Sequence, residues 1–164
     1  MNWLGELVQK EISIDDIVLD LGAGIMQAVR GLECRFILAC DVWTPYLDNL
    51  KREYSTIQIN MNELNRFMEE SYDVVICLDV LEHLEEKDAI KAIDEMKRIC
   101  RKKLIIYTPN EFKTNEPSID DAWGLGHNEY QRHKCVLSNS LLRTHGFIVR
   151  NDNEDGGNFG VWLK

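Results

Sequence analysis

Between Asp73 and Asp79 the chain reads Val74-Val75-Ile76-Cys77-Leu78, five apolar side chains without a break. A strand with one wet face alternates apolar and polar residues. One without a polar face must be covered on both sides. Such a strand belongs inside a mostly parallel sheet between two layers of helices. The flanking segments fit that architecture. Apolar runs predict further strands at 16–21, 35–41, 56–60, 103–108, 147–150 and 158–163. Between them, helical spacing predicts helices at 26–32, at 45–53 with Thr44 as N-cap, at 62–68, along 84–100, and at 136–145 ending at Gly146. Trp3, Leu4, Leu7 and Val8 share one face of an N-terminal helix within 1–13. No repeat or low-complexity linker interrupts the 164 residues, so one domain over 1–164 is expected.

Strands alternating with helices imply right-handed crossovers. Sheets of this kind bind ligands beyond the carboxyl ends of their strands, where the strand order reverses. That directs attention to 20–27, 41–43, 60–62, 79–83 and 108–111. The polar, aperiodic stretch 110–134 overhangs the same edge and reads as a substrate loop or lid.

The first of these positions is a glycine turn, Val18-Leu19-Asp20-Leu21-Gly22-Ala23-Gly24. Gly22 and Gly24 permit tight backbone angles and a close approach by a ligand. A following helix would aim its free N–H groups at the same spot. A dinucleotide or S-adenosylmethionine fits such a turn. The dinucleotide fingerprint needs a third glycine where this chain has Gln27. Asp20, two residues before Gly22, would repel a pyrophosphate but attract an ammonium. S-adenosylmethionine carries an ammonium and a sulfonium and no phosphate. Asp41, at the end of the second strand, can accept hydrogen bonds from two ribose hydroxyls, which fits either ligand.

Composition narrows the classes. The net charge of -9 repels phosphate backbones and argues against nucleic acid. Arg101-Lys102-Lys103 is a local basic trio, placed to suit the negative end of the preceding helix. No apolar run reaches the roughly 18 residues of a membrane span. The N-terminus lacks the pattern of a signal peptide. The five cysteines form no C-x-x-C pair, so a reduced, cytoplasmic protein is expected.

Taken in order, VLDLGAG, ACD, YDVVICLDVLEHL and LIIYTPN resemble the class I S-adenosylmethionine-dependent methyltransferases of the type-11 group, over roughly residues 14–112. The resemblance implies a Rossmann-like α/β fold, with a seven-stranded, mostly parallel sheet whose last strand is antiparallel. It implies S-adenosylmethionine as cofactor and S-adenosylhomocysteine as product. Asp20, Gly22 and Gly24 match the residues that line the methionine part. Asp41 matches the ribose-binding acid, with Val42 against the adenine. Asn60 and Met61 match the pair that contacts adenine, Asn60 standing where the family usually has an aspartate. Asp79 and Val80 match the positions flanking the methyl group, and Asp79 also suits an N-cap. Met26 departs from the G-x-G-x-G pattern of many members; it either crowds the methionine tail or packs behind it.

Glu82 and His83 raise a metal question, because some quinone-pathway relatives hold a divalent ion with a similar set. Adjacent residues on a helix point in different directions, so a structural His83 and no metal are expected. In 110–134, Asp120, Asp121, Trp123, His127, Tyr130 and His133 are the chemistry-bearing residues. His127 and His133 are the candidate bases, Tyr130 a positioning residue, Trp123 a lid residue; His133 equally suits a loop anchor. NEYQRHKCVLS resembles an N-x-Y-Q-x-H segment of some type-11 relatives. The expected function is methyl transfer to a small-molecule acceptor, with no membrane. The alternative is a non-catalytic methyltransferase-like subunit. Trp3, Leu4 and Leu7 suit either the cofactor edge or a dimer contact, leaving room for a homodimer or a partner chain.

Overall fold

The computed structural model describes residues 2–115, 123–151 and 156–164; Asp120, Asp121 and most of the NDNEDGG turn lie outside them. The elements are α1 (Trp3–Glu11), β1 (Ile17–Leu21), β2 (Phe36–Asp41), α2 (Thr44–Leu50), β3 (Ser55–Gln58), β4 (Tyr72–Leu78), α3 (Glu86–Ile99), β5 (Cys100–Thr108), α4 (Asn139–Thr144), β6 (Ile148–Arg150) and β7 (Asn158–Leu163). The seven strands form one sheet in the order β3-β2-β1-β4-β5-β7-β6. All neighbours from β3 to β5 pair parallel, and β7 runs antiparallel to both β5 and β6. The predicted Rossmann-like sheet is therefore present.

Side-chain alternation splits the core into two layers. Leu19, Leu21, Val75, Cys77, Leu104 and Ile106 face α3 and α4. Val18, Val74, Ile76, Ile105 and Tyr107 face the other way, under Leu4 and Val8 of α1 and Met26. This explains the unbroken apolar run of β4: its Val74 to Cys77 are all fully buried, on alternate faces. Trp3 meets the ring of Tyr107 edge-on at 5.6 Å. The apolar side of α1 thus covers the sheet. The five cysteines are free thiols. Among the described residues no helix is long and apolar enough to cross a membrane.

Several local expectations are corrected. Residues 26–32 form isolated turns instead of a helix. Met26 sits at φ 57 and Gly31 at φ 84, and left-handed residues at both ends break the helical ladder. Helix α2 is capped by Trp43, with no side-chain bond, and stops at Leu50. The segment after β3 is a 3-10 helix, Met61–Arg66, begun by an Asn60–Glu63 capping box. A separate 3-10 turn, Leu81–His83, precedes α3. Strand β5 begins three residues early and takes in the basic trio. These cations lie at the amino edge of the sheet, where Lys102 meets Asp16 at 2.6 Å, Arg101 meets Asp73 at 2.9 Å and Lys103 meets Glu11 at 3.0 Å.

Candidate functional site

The strand order reverses between β1 and β4. Connections leave β1 toward β2 and β3 on one side, and β4 toward β5 on the other. The two carboxyl ends leave a crevice, and the chain turns sharply there. Gly22 has φ 74, and its N–H and that of Ala23 both donate to the carbonyl of Cys40, at 2.8 and 2.9 Å. A Cβ on Gly22 would collide with the side chain of Val80. Glycine is thus required twice over, by the backbone angle and by the facing strand end. Gly24, at φ 52, donates its N–H to Asp41 Oδ2 at 2.9 Å.

A cavity of about 530 Å³ opens on this crevice. All nine residues expected to hold the cofactor line it: Asp20, Gly22 and Gly24 from the first turn, Asp41 and Val42 from the end of β2, Asn60 and Met61 after β3, Asp79 and Val80 after β4. The glycine turn presents no helix N-terminus, since 26–32 are turns; it offers backbone and carboxylates. Met26 lines the cavity yet is only 1% exposed, packed into the α1 layer. Its bulk therefore lies behind the turn.

The electrostatics are unusual. Asp20 is buried, and its Oδ2 has no hydrogen-bond partner among the described residues. Burial, reinforced by the nearby Asp41, pushes its carboxyl up to about 8. Asp41 is buried as well, and desolvation raises it, against the pull of the N–H groups of Trp43 and Gly24. Two acids in one cavity wall, one with a buried oxygen that no described residue meets, call for a cation. The side-chain Oδ1 of Asn60 accepts from Asn62 N at 3.2 Å, so one of its lone pairs is already used. Asp79 takes φ 54 and is exposed at the rim; the cap of the following turn is Val80.

The opposite wall comes from the 123–134 segment. Trp123 stands 3.4 Å from the place of a Gly24 Cβ, and its ring meets Tyr46 edge-on at 5.1 Å. Asn128 is buried; its Oδ1 accepts from Tyr130 N at 3.0 Å, and its Nδ2 donates to the Tyr46 hydroxyl at 3.1 Å. This fixes the short 3-10 turn Glu129–Gln131 and brings Tyr130, half exposed, to the cavity. His133 lines the cavity too. His127 does not: it is exposed, with Nε2 3.9 Å from Glu129.

His133 is held by a second anchor. The Glu82 carbonyl accepts from Lys134 N at 2.7 Å and from Cys135 N at 3.2 Å. The ring of His133 then lies 4.9 Å from that of His83. Residues 81–83 form a 3-10 turn, and although neighbours on such a turn are about 120° apart, the side chains of Glu82 and His83 still converge on His133. Donor atoms of Glu82, His83 and His133 all lie within 4.8 Å of one another. Glu82 is 2% exposed, and burial, followed by the charge of Asp79, pushes its carboxyl up to about 8. Burial, then the neighbouring His133, holds His83 down to about 4, and its Nδ1 has no hydrogen-bond partner among the described residues.

Sequence reasoning missed Tyr46 and Asn128 as wall residues, and missed that Glu82 is buried. Asn128 was legible as the first residue of the N-x-Y-Q-x-H segment. Tyr46 carried no signal beyond its place next to Pro45.

Comparison with known proteins agrees with this fold. A family model described as a methyltransferase domain matches residues 19–107, more than half of the chain. An uncharacterized protein of Methanocaldococcus jannaschii is 28% identical over 159 residues, covering 86% of this chain and 69% of that protein. The crystal structure of the PH0226 protein from Pyrococcus horikoshii superposes with a TM-score of 0.72 at 16% identity, over 98% of this chain and 87% of that one. Magnesium protoporphyrin IX methyltransferase from Synechocystis, solved with bound S-adenosylhomocysteine, gives 0.66 at 13% identity, over 98% and 80%.

Proposed function

The chain belongs to the methyltransferase domain family of S-adenosylmethionine-dependent enzymes, and from that premise we propose that it methylates a small-molecule acceptor held under the 123–134 segment. The observation that carries the cofactor site is Asp20: a buried carboxylate oxygen without a partner, at the switch point of the sheet, facing a cavity. The ammonium of the methionine moiety is the cation that fits it. The cofactor, when bound, supplies a methyl group already activated on a sulfonium, so positioning and exclusion of water are the protein's main tasks.

Gly22 and Gly24 leave the backbone bare beside the methionine chain. Asp41 keeps lone pairs for the ribose hydroxyls while its other contacts tie the glycine turn to β2. Val42, Asn60 and Met61 form the adenine wall, and Asp79 with Val80 border the methyl end. Trp123 closes the cavity over Gly24. Tyr130 and His133 face the acceptor, while His127 stands outside the cavity. The 530 Å³ enclosed by these walls suits a cofactor with a small acceptor.

Calorimetric titration with S-adenosylmethionine, S-adenosylhomocysteine and NAD, on the wild type and on Asp41→Ala, tests the site. Binding of the two sulfur ligands, weakened by roughly 1–3 kcal/mol in the variant, is expected; binding of NAD alone overturns it. Incubation with methyl-labelled cofactor and a size-fractionated extract then tests the acceptor. Label in the low-mass fraction is expected, and label confined to protein or RNA refutes a small acceptor.

A further inference from the structure

The cluster of Glu82, His83 and His133 has no role in the cofactor reading. It joins two segments fifty residues apart, held in register by the paired hydrogen bonds from Lys134 and Cys135 to the Glu82 carbonyl. A buried carboxylate beside two imidazoles is a costly arrangement unless something binds between them. Among the described residues, the Glu82 carboxyl is met by its own backbone N–H and, at 3.5 Å, by the Thr108 hydroxyl. His83 Nδ1 is buried with no hydrogen-bond partner among the described residues, while the backbone of Arg132, Asp79 and Gln131 lies against the imidazole. The exposed Asp79, close enough to act on Glu82, adds negative charge at the same place. All three side chains line the cavity wall.

We propose that Glu82, His83 and His133 form a divalent transition-metal site at the β4 end of the cavity. The donor set decides the class of ion. One carboxylate and two imidazoles suit zinc, manganese, cobalt or iron, whereas magnesium and calcium prefer oxygen alone. The donors lie within 4.8 Å of one another. Bonds of about 2.0–2.2 Å bring ligand atoms to within about 4 Å, so small side-chain rotations close the site. Three protein ligands leave coordination positions open toward the cavity, as in catalytic metal centres. An oxygen of the methyl acceptor is the group that fills one. That last role rests on the transferase reading above; binding of the ion does not.

The test uses the full chain, stripped of metal with EDTA and titrated with Co²⁺, whose visible absorption reports nitrogen and oxygen ligation. The variants are His83→Ala, His133→Ala and Glu82→Gln, with His145→Ala, outside the cavity, as a control. Wild type and control should saturate at about one equivalent. Each ligand variant should bind at least about tenfold more weakly, since even outer-shell changes cost that much. Calorimetry with S-adenosylhomocysteine on the same samples reports whether the fold and cofactor site persist. It separates failure of the metal site from failure of the transferase reading. No absorption change in wild type that still binds S-adenosylhomocysteine overturns the proposal. So does Co²⁺ binding that survives both histidine substitutions. If His83→Ala unfolds, the half-buried loop residue His133 alone carries the comparison.

Discussion

Asp20→Asn separates what this protein does for its fold from what it does for its ligand. The carboxyl is raised from 3.8 to about 8 by burial and by Asp41. Between those values the unfolded chain has released the proton and the folded chain retains it. Raising the pH therefore favours unfolding, and the penalty grows from about pH 4 until it is complete above about pH 8. At 1.36 kcal/mol per pH unit, the gap sets a ceiling of ~6 kcal/mol. Water admitted by the open cavity screens part of it, so about 1–3 kcal/mol should be recovered at pH 8. The amide conserves volume and cannot ionise. In urea unfolding without ligand, the variant should gain on the wild type between pH 5 and pH 8. In calorimetry the same variant should bind S-adenosylhomocysteine roughly 10–100-fold more weakly, because a charge-assisted bond to the ammonium is lost. Wild-type affinity should rise with pH over 6 to 8 as the carboxylate ionises, and the variant's should not. A wild type that keeps pace with the variant from pH 5 to 8 refutes the reasoning, because the carboxylate would then have a partner.

Other substitutions probe the walls. Gly22→Ala places a side chain at φ 74 and against Val80; a loss of about 2–4 kcal/mol in urea unfolding is expected. Adding Val80→Ala should restore the part due to the collision and leave the part due to the backbone. Asp41→Ala strips the acceptor from the N–H groups of Gly24 and Trp43, so stability should fall by about 1–3 kcal/mol alongside the loss of cofactor affinity. Trp123→Ala should weaken S-adenosylhomocysteine several-fold in calorimetry while leaving the urea midpoint nearly unchanged, since the ring caps the cavity from a surface segment.

The amino-acid sequence by itself determined the sheet and the strand-end wall of the cavity. Burial on both faces demands an unbroken apolar run, so β4 was legible, and with it the layered architecture. The residues just after each parallel strand must share one edge, so Asp20, Asp41, Asn60 and Asp79 could be grouped without coordinates. Local backbone choices were less legible. The turns at 26–32 depend on Met26 at φ 57, a left-handed angle that no propensity assigns to methionine. Only the tertiary structure decided the opposite wall. His127 and His133 stand six residues apart in one loop and look alike as sequence. Long-range bonds separate them: Asn128 to Tyr46, and Lys134 and Cys135 to Glu82, carry His133 into the cavity and leave His127 in solvent. The meeting of His133 with Glu82 and His83 is of the same kind. It requires a contact between segments fifty residues apart, which is not written in local periodicity.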